Sequence, residues 1–457
     1  MAFWKRKGAG GVGGPPQRCF VLGLDGLGLG LLERLLACKA MPGLSELLGR
    51  GSLRRMRSVI PTVSSVAWAS YATGVNPGMH NLFGFVDRSP NPFEIFIPNG
   101  AHLRHETIWE ALSRSGKRVV SLNVPTSYPP RPINGIMVGC FLSPSLDRAV
   151  HPPRLLPLLK EMGYCLDVDA WKARRDMGGF LSDLERILDS RFQVALHLLE
   201  QEHWDFFQLH IMETDRINHF LLGQWEDGEE PWAGRFEGFY ARLDSWLQRL
   251  LERLEPHLGS GEVTLLVMSD HGFCRLEAEL YVNHWLEREG YLFFQEGGER
   301  KPQQFLPQSR AYSLIPGRIF INLKGREDRG SVAPGGEYES LRQELLEALS
   351  SLRDPCSGKP MVRKVHRREE LYRGPFLERA ADLILEPEDG FDPKGNTDKT
   401  SLTGRGDICG MHTLEDAFLL RYPGGLPERD FQILDVAPGI MGIMGEANGL
   451  QTEGKPW

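Results

Sequence analysis

The chain has 457 residues, of which 41% are apolar and 25% charged, and a formal net charge of -7. This balance supplies a core for one large α/β domain with insertions, or for a few smaller ones at roughly 150 residues each, and excludes a disordered or fibrous chain. The acidic surplus argues against a surface built to coat a nucleic-acid polymer or an anionic membrane.

Residues 1–17 are basic at first and then rich in Gly and Pro, with no apolar stretch that a signal peptide would need, and are read as a disordered tail. No run of 18 apolar residues occurs, so no membrane span is expected. The seven cysteines, among them Cys19, Cys140 and Cys409, are scattered and contain no C-x-x-C. That pattern fits a reducing compartment, and a cytoplasmic location is expected.

The first buried-strand candidate is CFVLGLD (19–25), and Asp25 ends it. The glycines after it, Gly26, Gly28 and Gly30, lack G-x-G-x-x-G spacing, and an aspartate before the first would repel a pyrophosphate, so a dinucleotide site is rejected. A helix-period segment, GLGLLERLLACKAMPGLSELL, follows. In RSVIPTVSSVAWASYATGVNPGMHN, Ser64 and Ser65 stand where an N-cap belongs, ahead of a helix over 66–72 that Gly74 and Pro77 close. Serines there either cap the helix or present a hydroxyl to its positive end.

Further strands are RVVSLNVP (118–125), GIMVGCF (135–141) and DFFQLHIM (205–212), with a helix in LSDLERILDSRFQVALHLLEQ between the last two. Asn123 follows the first of these, as a turn residue before Pro125 or as a donor to substrate. Asp215 and His219 come next, at an i, i+4 spacing that suits either a surface pair or two ligands of one ion. The strand VTLLVMSD (263–270) ends in Asp270, followed by His271. Residues 276–405 are charged and rich in Gly and Pro and are read as an inserted cap. Lys324 and Arg326 in it either meet substrate or are solvated. His412 precedes a last strand, AFLLRYP (417–423), and residues 448–457 form a C-terminal tail.

Alternating strands and helices predict an α/β fold with a largely parallel central sheet flanked by helices, its catalytic core formed by 18–275 and 406–447. Ligands of such sheets bind beyond the carboxyl ends of the strands. Three aspartates and three histidines without a thiolate suit zinc or manganese rather than calcium. Six ligands are too many for one catalytic zinc, which keeps an open position, and they suit two ions.

The ordered set of Asp25, PTVS…TGVNPGMH, METDRINHF, SDHGF and GMHT resembles the alkaline phosphatase superfamily, specifically the type I phosphodiesterase/nucleotide pyrophosphatase group. The resemblance runs along nearly the whole chain. It implies an alkaline-phosphatase-like core with two divalent ions, usually zinc. Asp25, Ser64, Asp270 and His271 would hold one ion and Asp215, His219 and His412 the other. The nucleophile lies three residues after Pro61 and nine before Thr73, which places it at Ser64. The implied activity is hydrolysis of phosphodiester or pyrophosphate bonds in a small phosphate ester or nucleotide, through a phosphoserine-type intermediate. The cap would hold the second ester group. A phosphate monoesterase or phosphomutase uses a related site, and an inactive metal-binding protein would need the ligands without Ser64. The chain departs from the group at Ala67, where an Asn usually holds a phosphoryl oxygen, and Asn123 is the candidate substitute.

Overall fold

A computed structural model describes residues 18–457; the tail read at 1–17 lies outside the described residues. The central sheet has nine strands, β1 (Arg18–Leu24), β2 (Ser52–Arg57), β3 (Val119–Leu122), β4 (Gly135–Val138), β5 (Val150–His151), β6 (Phe206–Ile211), β7 (Val263–Met268), β8 (Ala417–Tyr422) and β9 (Phe431–Gln432). Their spatial order is β9-β2-β8-β7-β1-β6-β3-β4-β5. The run β7-β1-β6-β3-β4 is parallel, whereas β8 is antiparallel to both its neighbours.

The apolar runs of β1, β6 and β7 are buried on both faces, as parallel strands between helical layers must be. The period of two divides them: Phe20, Leu22 and Leu24 enter one core, Cys19 and Val21 the other. The first core is closed by helices including Met177–Gln201, Glu213–Asp227 and Trp232–Gly259, the second by Ser64–Thr73, Ile108–Arg114 and Val436–Ile443.

Two helical expectations are corrected. The segment after β1 forms two helices, Leu29–Ala37 and Pro42–Arg50, because Lys39 takes a left-handed φ of 62° and Pro42 starts the second. The helix expected over 66–72 begins at Ser64 with Val63 as its cap residue, which makes no side-chain cap bond. Ser64 and Ser65 are therefore in the first turn rather than capping it, and their hydroxyls are free for other partners. Gly74 does end this helix in the left-handed conformation. The N-terminus of Leu29–Ala37 is satisfied by Asp416, whose Oδ2 accepts from Gly30 N at 3.0 Å, so this glycine run has an internal anion.

Residues 276–405 build a four-stranded sheet in the order Ala311–Leu314, Arg318–Ile321, Leu383–Pro387, Val362–Arg367, with Gly336–Ser350 packed on it around a separate apolar core. An earlier hairpin, Asp87–Pro90 with Phe93–Phe96, is tied to this unit by the fully buried Arg88–Glu327 pair at 2.8 Å. Arg326 commits its guanidinium to the buried Asp382, at 2.8 and 2.7 Å, and so is a structural residue of this unit; Lys324 is exposed. Residues 448–457 have no regular structure but are packed: Glu453 bonds Asn76 and Arg373, and Trp457 meets Phe431 edge-on.

His80 gives the fold a pH limit. It is fully buried, its Nδ1 accepts from Leu82 N at 3.2 Å, and its Nε2 faces Ser70 Oγ at 3.0 Å. Burial, and secondarily the nearby His105, push its pKa down from 6.5 to about 3. A histidine held neutral in the folded state is protonated more readily when unfolded, so its contribution is complete above pH 6.5 and is lost as pH falls toward 3. Chemical denaturation at pH 7 and pH 5 should show lower stability at pH 5, and His80→Gln should shrink that difference. An unchanged difference would remove His80 as the cause.

Candidate active site

Apart from Ser64, which opens the helix Ser64–Thr73, every ligand predicted from sequence lies at or just beyond a carboxyl end of the parallel strands, or on the short hairpin Gly272–Arg275/Gly410–Thr413 above them. Asp25 follows β1, and Asp270 and His271 follow β7. Asp215 and His219 occupy the first turns of Glu213–Asp227, and His412 is on the hairpin. Gly26 needs its left-handed φ of 66°, and a Cβ there would lie 2.5 Å from the Phe273 ring, so only glycine lets the chain turn between Asp25 and the hairpin. Its N–H donates to Asp270 Oδ1 at 3.2 Å.

The three histidines share one orientation. Nδ1 of His271 faces the Gly272 carbonyl at 3.0 Å, that of His219 the Gly410 carbonyl at 2.9 Å, and that of His412 the Thr62 carbonyl at 3.1 Å. A carbonyl only accepts, so each Nδ1 carries a proton and each Nε2 faces inward, where the neutral ring presents a lone pair. This is how metal-binding imidazoles are aimed. The Nε2 atoms of His219 and His412 are 3.1 Å apart, a spacing at which two facing lone pairs repel unless a proton or a metal ion lies between them.

The carboxylates agree. Asp215 Oδ1 lies 3.1 Å from His412 Nε2 and 3.4 Å from His219 Nε2. Asp25 Oδ1 accepts from Ser64 Oγ at 3.1 Å and lies 3.4 Å from His271 Nε2. Asp270 Oδ2 is buried without a hydrogen-bond partner, 3.4 Å from His271 Nε2. Two groups of three ligand atoms lie within 4.8 Å of one another: Asp215, His219 and His412, and Asp25, Asp215 and His271. Asp215 thus borders both clusters, where the sequence reading gave it to one. The residues fit divalent cations with oxygen and nitrogen ligands.

Without cations this constellation is electrostatically divided. Burial and the neighbouring Asp25 raise the Asp270 carboxyl well above the carboxylate range. Burial lowers His271, but Asp270 and Asp25 outweigh it and push its pKa up to about 10. His412 is pushed down to about 4 by burial and by His271. Burial also raises Asp215, yet His219 and His412 hold it well below its ordinary value.

Ser64 Oγ is 3.3 Å from His271 Nε2, at the N-terminal turn of its helix and only 7% exposed. Ala67 is buried in the apolar core and faces no polar partner. Asn123, one residue beyond β3, has a left-handed φ of 65° and is fully buried, with both polar side-chain atoms unpartnered.

Several groups escaped the sequence reading. His210 on β6 donates from Nε2 to Asp25 Oδ2 at 2.9 Å, and Trp68 donates from Nε1 to the same oxygen at 2.9 Å. Together they consume Oδ2 and leave Oδ1 facing Ser64. Burial raises the Asp25 carboxyl, but the hydrogen bonds from His210 and His271 outweigh it and keep it ionised. Glu213, which opens the Asp215 helix, is locked by the buried Arg191 at 2.7 Å, and Thr214 Oγ1 donates to the Asp25 carbonyl at 2.6 Å. The i, i+3 alternation of His210 and Glu213 around an apolar strand end was the available signal, and it was too weak to read.

The model of the type I phosphodiesterase/nucleotide pyrophosphatase family matches residues 19–414. No curated protein sequence matches the chain. Among solved structures, phosphonoacetate hydrolase from Sinorhizobium meliloti in complex with phosphonoacetate is similar at a TM-score of 0.65 and 18% identity, covering 95% of this chain and 96% of that one. Murine ectonucleotide pyrophosphatase/phosphodiesterase 5 in complex with AMP is similar at 0.59 and 13% identity, over 96% and 97%. Each likeness is one of fold. The chain belongs to the type I phosphodiesterase/nucleotide pyrophosphatase family of the alkaline phosphatase superfamily, and it is a hydrolase of phosphoric esters.

Proposed function

We propose that the protein hydrolyses phosphodiester or pyrophosphate bonds by transferring the phosphoryl group to Ser64 over a two-ion site. The observation that carries this reading is the place of Ser64 Oγ, held between Asp25 and His271 at the edge of converging ligand atoms. Asp25, Asp270 and His271 would hold one ion and Asp215, His219 and His412 the other, zinc by the donor set with manganese as the alternative. When bound, such ions neutralise negative charge on the attacking and departing oxygens. Ser64 Oγ forms a bond to phosphorus as the bond to the departing alcohol breaks, and the alcohol leaves with a proton. Water then attacks phosphorus, the Oγ–P bond breaks, and the proton returns to Ser64. Asn123 is the proposed donor to a non-bridging phosphoryl oxygen, a role its unpartnered amide supports.

The diester preference rests on arginine. Arg216 is the arginine that touches a ligand, 3.2 Å from Asp215 Oδ2, and its guanidinium is already bound to Asp167 at 2.5 Å. It is not free to clamp a dianionic monoester. With zinc or manganese, kcat/KM for bis-p-nitrophenyl phosphate should exceed that for p-nitrophenyl phosphate. A monoester preference of about tenfold, or about 1.4 kcal/mol at the transition state, would replace this reading with a phosphatase.

A further inference from the structure

A cavity of about 270 Å³ opens beside His219 and His412, between the catalytic core and the cap. Thr62 and Val63, the residues leading into Ser64, line it as well, but Ser64, Asp25 and His271 do not. An in-line displacement places the departing group opposite the attacking oxygen. With Ser64 attacking from the Asp25–His271 side, the departing alcohol points toward His219 and His412, and hence into this cavity.

The walls are mostly apolar: Ile60, Pro61, Phe85, Leu385, Met411 and Leu414 are among them. Two cations, Arg363 and Lys394, and three carboxylates, Glu386, Asp389 and Asp392, complete the lining. The cations are already answered. Arg363 lies 3.2 Å from Glu388, 3.4 Å from Asp389 and 3.8 Å from Glu386. Lys394 lies 2.5 Å from Asp392. The carboxylates around each hold both cations firmly charged, against the burial that would discharge them. Glu386 is shared further with His366 at 2.7 Å. A second phosphate entering here would meet a lining with more carboxylates than cations, and would have to break an existing pair to gain a partner. Like charges brought together in this way repel.

We propose that this cavity selects phosphodiesters whose departing alcohol is apolar and free of negative charge, and discriminates against leaving groups that end in a second phosphate, as pyrophosphates do. The proposal rests on the reading of Ser64 as nucleophile and narrows its substrate class.

The test holds the retained arm constant and varies the departing one. Two methyl aryl phosphates with leaving groups of matched acidity, one neutral and one bearing a ring carboxylate, are compared with methyl diphosphate on the metal-loaded enzyme. The neutral ester should be favoured by about tenfold or more in kcat/KM over each anionic one. Equal values, or a preference for either anionic leaving group, would overturn the proposal. Failure to hydrolyse any of the three, nor bis-p-nitrophenyl phosphate, would instead overturn the phosphodiesterase reading beneath it. Asp392→Asn strips Lys394 of its partner and should raise the anionic-to-neutral ratio of kcat/KM by about fivefold. Asp389→Asn, at an exposed position, should move the same ratio in the same direction through Arg363. A ratio unmoved in both folded variants would contradict charge selection by this cavity.

Discussion

Ser64→Ala is expected to lower turnover by about three orders of magnitude or more while leaving the fold intact. The Oγ makes no helix-cap bond, and its contacts are Asp25 Oδ1 and His271 Nε2. Removing it therefore costs the protein about one hydrogen bond, roughly 1 kcal/mol. It costs the reaction its covalent route. Neighbouring hydroxyls supply the control. Thr62 Oγ1 donates to the Val59 carbonyl, and Ser65 Oγ is buried and bonds neither Asp25 nor His271. Thr62→Ala and Ser65→Ala should retain activity within about tenfold. If Ser65→Ala proves the inactive variant, the nucleophile is misassigned by one residue.

Asp215→Ala is expected to have the larger effect on metal content. Its carboxylate borders both ligand groups, whereas Asp270 borders one. Metal analysis after loading with zinc or manganese should find two ions per wild-type chain, and Asp270→Ala should retain one. Asp215→Ala should retain one at most and lose most activity. Bound ions stabilise the folded state by mass action, so chelation should lower the melting temperature of wild type by more than that of Asp215→Ala. A wild-type content at or below one ion would contradict the two-ion site.

The sheet and the Asp- and His-bearing strand ends were legible in the sequence because both depend on local pattern. Continuous apolar runs such as VTLLVMSD announce buried parallel strands, and a strand end in such a sheet is where a charged residue can face a ligand. The histidine orientations were not legible. Two of the three depend on a backbone carbonyl far along the chain, His412 on Thr62 and His219 on Gly410. His210 and Trp68 were hidden for a related reason: within an apolar strand and an apolar helix they look like core residues, and only tertiary packing brings both to one oxygen of Asp25. The helix start at Ser64 was misread because serine before an apolar run is the ordinary cap signal, and here Val63 takes that position. The cap yielded least. Lys324 and Arg326 stood out by charge, yet Arg363 and Lys394 line the cavity, because the strands carrying them fold back toward His412.

Transfer through Ser64 is most directly tested by stereochemistry at phosphorus. A chiral phosphorothioate diester of one configuration is hydrolysed in heavy-oxygen water, and the configuration of the product is determined. Two successive in-line displacements, first by Ser64 and then by water, each invert phosphorus, so the account predicts overall retention. Overall inversion would mean that water attacks the substrate directly, and would contradict a phosphoryl group carried on Ser64.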